Sequence, residues 1–356
     1  MYKPQFTITN PMLKFIGVIE ACKHVIDTAP LLPHYEKKFQ DDALIRSVHH
    51  GTHLEGNELN LNQAEKVMLG QDVVARQRDV QEVINYRKVM EFIGNVSQAE
   101  EEKHPGQKRV ITEEFIKALH RAVVSSLLSP ERSGEYRKTQ VVIRNSITGE
   151  VTFTPPAALA IPYQMSDFIE FINTSDEAEL HPIIKSGIVH YELVRIHPFI
   201  DGNGRVGRAL STLMLFIGGY DIRRFFSLEE YFDKDAARYY EALQSVGKSN
   251  GDVTHWLEYF MEGLAIELTK IRDKVEHISR DIKLKEKLGG KQLMLTDRQL
   301  TIIEYIQKTG YMNNSMFKHI FPFVSEDTVL NELKPLIQNN LVKKQGKTKA
   351  ARYVMA

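Results

Sequence analysis

Apolar residues recur every three to four positions through most of this chain, the pattern of helices packed by one face. The first such run, LKFIGVIEACKHVIDTA, is bracketed by Pro11, Pro30 and Pro33 and predicts one helix. Helical spacing returns from Asp41 to about Asn95, with a break at Gly51 to Asn57 between DDALIRSVHH and NQAEKVML. The charged segment SQAEEEKHPGQKR contains Pro and Gly and reads as a solvated loop, which places a soft boundary after an N-terminal helical extension, 1–105. Thr112 then suits a helix start for the amphipathic TEEFIKALHRAVVSSLL.

The period changes once before the C-terminal region. In YRKTQVVIRNSITGEVTFTPP, β-branched residues flank the turn-rich NSITGE and Pro155 and Pro156 stop the run, which predicts a β-hairpin. Helical patterns resume at MSDFIEFINTS, PIIKSGIVHYELVRI, GRALSTLMLFIGGY and from Asp233 onward, ending in a charged helix that stops before Gly289 and Gly290. The expected body, 106–290, is thus mainly α with one hairpin. Beyond it, three short helical patterns and the ribbon-like KKQGKTKAARYVMA have the order of a winged-helix domain, 291–356.

Charge and composition narrow the chemistry. The 46 basic and 46 acidic residues cancel, so there is no bulk attraction to nucleic acid or anionic lipid, and any anion site must be local. No apolar run approaches the roughly 20 residues of a membrane helix. MYKPQFTITNPML lacks the features of a secretory signal, so the expectation is a cytoplasmic protein with no membrane contact. The lone Cys22, in IEACKHVI, reads as a buried structural thiol.

Candidate chemistry concentrates in HPFIDGNGRVGR, positions 197 to 208. An apolar helix ends at His197, Gly202 and Gly204 permit a tight turn, and a new helix begins. A glycine-rich turn feeding a helix N-terminus offers backbone N–H groups and the positive end of the helix dipole to phosphate. Arg205 and Arg208 add planar cationic forks. Asp201 supplies a hard carboxylate of the kind that holds Mg²⁺ beside substrate phosphates. His197 can accept a proton near neutral pH, although a histidine at a helix end also serves as a plain cap. Phe199 reads as core, and His49, His50, His53 and His190 as structural.

This string resembles the signature of the Fic family: a histidine, a phenylalanine two on, an acid, Gly-Asn-Gly-Arg and a second arginine three further. The flanking chain to about residue 265 is similar to that family's helical core and N-terminal extension. The resemblance implies a Fic helical bundle and protein AMPylation, the transfer of AMP from Mg²⁺-bound ATP to a Ser, Thr or Tyr hydroxyl of a target protein. By resemblance, His197 is the base, Asp201 holds Mg²⁺, Asn203 bonds the α-phosphate, Gly202 and Gly204 line the anion hole, Arg205 holds the β-phosphate and Arg208 the γ-phosphate. Tyr239 and Tyr240 either wall the adenine site or are simply packed. The hairpin from Gln140 to Phe153 corresponds to a flap that aligns the target by main-chain pairing, with Val142 and Ile143 on its edge; covering core is its other reading.

GTHLEGN, positions 51 to 57, resembles the family's inhibitory motif, a Ser or Thr four residues before a Glu. Glu55 and Gly56 match, and Gly51 stands where the hydroxyl residue is expected, with Thr52 one place late. Glu55 would then compete for Arg208. Self-modification and a homodimer are compatible with this reading. Two others stand beside it: removal of AMP with Glu55 positioning a water, and a nucleotide-sensing DNA-binding regulator. Lys343, Lys344, Lys347 and Lys349 cluster in the wing, but the acidic start Ser325-Glu326-Asp327 of the helix expected in a groove makes protein docking an equal reading of that domain.

Overall fold

Caps and prolines start the N-terminal helices where the chain supplies them. The structure, a computed structural model, describes residues 2–103, 110–144, 149, 151–174, 180–287, 295–322, 324–346 and 351–356. Thr9 accepts the Met12 amide to begin α1 (Asn10–Thr28), whose buried Met12, Ile19, Cys22 and Ile26 follow the helical period. Cys22 is fully buried, as its surroundings predict. Pro33 opens α2 (Pro33–His53), which runs through the break expected at Gly51. The break expected over Gly51 to Asn57 therefore begins only after His53: the Tyr86 ring fills the space beside the Gly51 backbone, and Thr52 bonds back to the Val48 and His49 carbonyls. The chain turns only at Leu54 to Gly56, with Gly56 at φ 90°.

An Asn60–Gln63 capping box starts α3 (Leu61–Met68), followed by α4 (Gln77–Lys103), and Thr112 caps α5 (Glu113–Val123) as expected. The hairpin then forms from β1 (Ile143–Arg144) and β2 (Val151–Phe153), antiparallel with Ile143 opposite Phe153. Residues 145–148 and 150 of its expected turn lie outside the described residues. Six helices complete the body: α6 (Ile161–Thr174), α7 (Pro182–Ile196), α8 (Asn203–Ile217), α9 (Leu228–Lys234), α10 (Ala236–Lys248) and α11 (Thr254–Lys287).

The helices α7 and α8 pack on each other at the centre, and both are buried on nearly every side. Around them, α4 and α5 cover α8, while α6 lies on α7. One continuous core runs from Met12 to Val275, so residues assigned to the N-terminal extension and those after residue 106 share it, and residues 1–283 form one unit. His190 lies in this core among Phe232, Trp256 and Phe260 with Nε2 2.9 Å from the Tyr239 hydroxyl, the structural role expected of it. Among the described residues no helix is long and apolar enough to cross a membrane.

The second unit, 284–356, contains α12 (Asp297–Thr309), β3 (Met312–Asn313), α13 (Phe317–Ile320), α14 (Glu326–Gln338), β4 (Val342–Gln345) and β5 (Arg352–Met355). Its antiparallel sheet has the order β3-β5-β4. Ile302, Ile306, Leu333, Leu336 and Tyr353 form its core. Strand β3 escapes a sequence reading because two residues cannot display an alternating pattern. Lys343 and Lys344 are exposed on β4, and residues 347–350 lie outside the described residues.

Candidate active site

The site is built on the turn between the two central helices. His197 caps α7 in the left-handed region, φ 51° and ψ 58°, with its amide donating to the Leu193 carbonyl at 2.9 Å. This conformation costs a residue with a Cβ about 1 kcal/mol, so surrounding contacts must hold it. Arg137 provides them: its Nε donates to the His197 carbonyl and its backbone amide to the Pro198 carbonyl, each at 2.8 Å. The imidazole Nδ1 lies 3.3 Å from the Val194 carbonyl. A carbonyl can only accept, so Nδ1 carries the hydrogen and Nε2 keeps its lone pair. Burial lowers the imidazole pKa, opposed by the Val194 carbonyl and Glu55 and reinforced by Arg137. The ring is therefore neutral at pH 7 and able to take a proton.

Phe199, fully buried as expected, anchors the loop by stacking on His120, with ring centroids 3.8 Å apart and planes 4° from parallel. Asn203 closes it: Oδ1 accepts the Phe199 amide and Nδ2 donates to the Phe199 carbonyl, both at 2.9 Å. The residue expected at the α-phosphate thus spends much of its amide on the loop itself, with one Nδ2 hydrogen left over. His120 Nδ1 accepts the Gly134 amide at 2.8 Å, so its Nε2 carries the hydrogen and donates to the Asp201 carbonyl at 3.0 Å. Burial pushes its pKa down to about 4, which keeps this strut neutral.

Gly202, at φ 77°, starts α8 with no side-chain cap, which leaves first-turn amides for an anion. Asp201 Oδ1 accepts the Gly202 amide at 2.6 Å and Arg205 Nη2 at 3.3 Å, and Oδ2 accepts Arg78 Nη2 at 2.8 Å. Burial works to raise its pKa, but Arg205, the Gly202 amide and Arg78 outweigh it and hold the carboxyl below its usual range. Both arginines are buried: Arg205 has Nη1 3.5 Å from Glu82, and Arg208 Nη2 donates to Glu55 Oε1 at 2.9 Å and to the Gly51 carbonyl at 2.7 Å. Arg205 Nε and Nη1 and Arg208 Nε make no hydrogen bond within the described residues.

The Glu55 carboxylate also presses on the start of α8. A Cβ on Gly204 would lie 2.0 Å from Glu55 Oε1, so only glycine admits the carboxylate there. Gly51 has a matching constraint, since its Cβ would fall 2.4 Å from the Tyr86 ring, whose hydroxyl is held at 3.1 Å by Glu229. Gly51→Ala is therefore expected to destabilise the fold by about 1–3 kcal/mol through overpacking, more than the gain in helix propensity returns. Urea unfolding checks this; an unchanged or raised midpoint would mean that Tyr86 gives way freely.

The two tyrosines separate. Tyr239 is buried and bonded to His190, whereas Tyr240 is 41% exposed and donates to the Leu54 carbonyl at 3.2 Å. On the hairpin, Val142 is exposed and Ile143 half-buried. His50 and His53 both bond Asp233, at 2.7 and 2.8 Å, and no group of three or more metal-ligating side chains is arranged for a metal among the described residues. Arg78, Tyr86, His120 and Arg137 carry no sequence signal of their own; each joins the site by folding onto it from outside the motif.

Residues 110–215 match the Fic/DOC family. Over 186 residues the chain is 31% identical to the protein adenylyltransferase Fic of Drosophila grimshawi, a span of 52% of this chain and 35% of that protein. The chain thus spans about a third of the length of that curated relative. It resembles in fold a Fic family protein from Desulfovibrio desulfuricans G20, with TM-score 0.65 and 23% identity over 100% of this chain and 98% of that one. A Fic domain containing signaling protein from Bacteroides thetaiotaomicron VPI-5482 gives TM-score 0.61 and 24% identity over 75% and 98%. The segment from Val110 to Leu215, with the helix turn and paired arginines that close it, is thus the part of the chain that is similar to the Fic/DOC family.

Proposed function

We propose that this chain transfers AMP from ATP to a hydroxyl side chain of a protein, with Glu55 restraining the reaction. The observation that carries the reading is the turn from His197 to Arg208, where a neutral imidazole with a free Nε2 shares one loop with an uncapped helix start and two buried arginines. In the reaction the hydroxyl oxygen bonds to the α-phosphorus, its proton passes to His197 Nε2, and the bond from the α-phosphorus to the bridging oxygen breaks to release pyrophosphate.

The residues fit a triphosphate. The unsatisfied guanidinium nitrogens of Arg205 and Arg208 suit the β- and γ-phosphates, and Glu55 shows that an anionic group can stand at the start of α8. Asp201 is a hard, ionised oxygen donor that would hold Mg²⁺, whose charge would offset that of the phosphates. Tyr240 keeps a solvent-facing side for a base, and the edge at exposed Val142 and half-buried Ile143 can pair with an extended target segment whatever its side chains. These supports also bear on the relatives' name, protein adenylyltransferase.

The test is incubation with ATP labelled at the α- or the γ-phosphorus, together with cell proteins, using both wild type and Glu55→Gly. Label is expected from the α-position alone, on Ser, Thr or Tyr; label from the γ-position, or none with either protein, overturns the reading. Asp201→Ala is expected to weaken Mg²⁺-dependent nucleotide binding in a calorimetric titration, and an unchanged Mg²⁺ dependence would remove Asp201 from that role.

A further inference from the structure

Arg137 lies on the irregular stretch between α5 and β1, yet only 4% of it is exposed. Every one of its described bonds goes to a backbone carbonyl. Nε donates to His197 at 2.8 Å, Nη1 to Thr139 at 3.0 Å, Nη2 to Pro156 at 2.6 Å and the backbone amide to Pro198 at 2.8 Å. Thr139 leads into β1 and Pro156 follows β2, so one guanidinium gathers both feet of the hairpin and fastens them to His197.

This arrangement is costly for a part that only stabilises the fold. A buried cation with no counter-charge among the described residues is expensive, and burial lowers the Arg137 pKa. Gln140 already ties the hairpin feet by donating from Nε2 to the Pro155 carbonyl at 2.9 Å. What Arg137 adds is the third point, the left-handed His197. Its planar fork can reach three carbonyls in fixed directions, and a lysine ammonium at the end of a flexible stem cannot reproduce that.

We propose that Arg137 is a positioning residue that sets the hairpin edge and the His197 imidazole at a fixed separation, so that a hydroxyl on a polypeptide paired to the edge arrives at Nε2. The inference rests on the reading of His197 as the base and the hairpin as the docking edge. A displacement of about 1 Å between reacting groups can cost on the order of 100-fold in rate, so the geometry of this tie matters more than its strength.

The test compares Arg137→Lys with its parent, both in the Glu55→Gly chain, using a protein target identified by labelling. The expected result is a fall in kcat of at least about tenfold and a raised KM for the target. The Kd for Mg²⁺-bound ATP should change by less than about twofold, because Arg137 shares no partner with Arg205 or Arg208. Hydrogen exchange is the second readout: amides of β1 and β2 should exchange faster in the variant while those of α7 and α8 do not. Unchanged kcat and KM overturn the inference, as does a loss of nucleotide binding equal to the loss of transfer, or faster exchange throughout α7 and α8, since either marks a merely structural role. If the parent itself transfers no AMP, the proposed function fails instead.

Discussion

The His197→Ala protein is expected to lose AMP transfer by a factor of about 10²–10⁴, the usual contribution of a positioned general base, while its affinity for Mg²⁺-bound ATP is retained. The separation follows from the geometry: His197 belongs to the end of α7, whereas the arginines and the uncapped amides belong to α8. The imidazole must be neutral to accept the proton, so transfer is lost as pH falls through its pKa. Because burial lowers that pKa, the acid limb of the rate profile should lie below the ordinary imidazole value of 6.5. Transfer by the alanine variant at the parental rate would remove His197 from the chemistry. An acid limb above 6.5 would show that the ring is held charged and contradict its reading as a neutral base.

Glu55→Gly should act in the opposite direction. Wild-type Arg208 spends Nη2 on Glu55 and on the Gly51 carbonyl, and the carboxylate lies against Gly204. Removing it frees the guanidinium and the start of α8 for phosphate, and a productive orientation should raise transfer by at least about tenfold. Adding Arg208→Ala should abolish most of that gain. Stability should move against activity: without Glu55 the buried Arg208 loses its counter-charge, so the variant should melt lower and be stabilised more by ATP than wild type is. Equal incorporation in wild type and Glu55→Gly would make Glu55 a bystander. High wild-type activity with that equality would mean that the glutamate pairs with Arg208 without restraining it.

The helices and the candidate loop were legible because their signals are local. Period, caps and prolines place α1, α5 and α7, and the twelve residues from His197 carry their own spacing. Features set by distant parts of the chain were not. Glycine at position 51 reads as a break, yet α2 continues because Tyr86, thirty-five residues later, packs on that glycine. His120 looks like one more residue of an amphipathic helix until its two ring nitrogens are seen joining Gly134 to Asp201. Arg78 stays exposed while it pairs with Asp201, and Arg137 is buried against the His197 carbonyl; only the tertiary approach of Asp201 and His197 gives them a task.

The shared core beneath α2, α4 and α8 constrains how the Glu55–Arg208 contact can open. Val48 is fully buried, Tyr86 is locked between Gly51 and Glu229, and Asn57 donates to Glu82 and to the Asp79 carbonyl at 3.0 Å. Swinging the whole segment aside would tear hydrophobic and polar anchors on both flanks of the glutamate. Within the turn, Leu54 is buried with its carbonyl accepting Tyr240, and the Gly56 carbonyl accepts Arg76, so the part left to move is the Glu55 side chain, which is partly open to water. If Glu55 restrains transfer as proposed, its release would need only a rotamer change at one residue, a latch lifting with the door frame left standing, rather than a slow parting of domains.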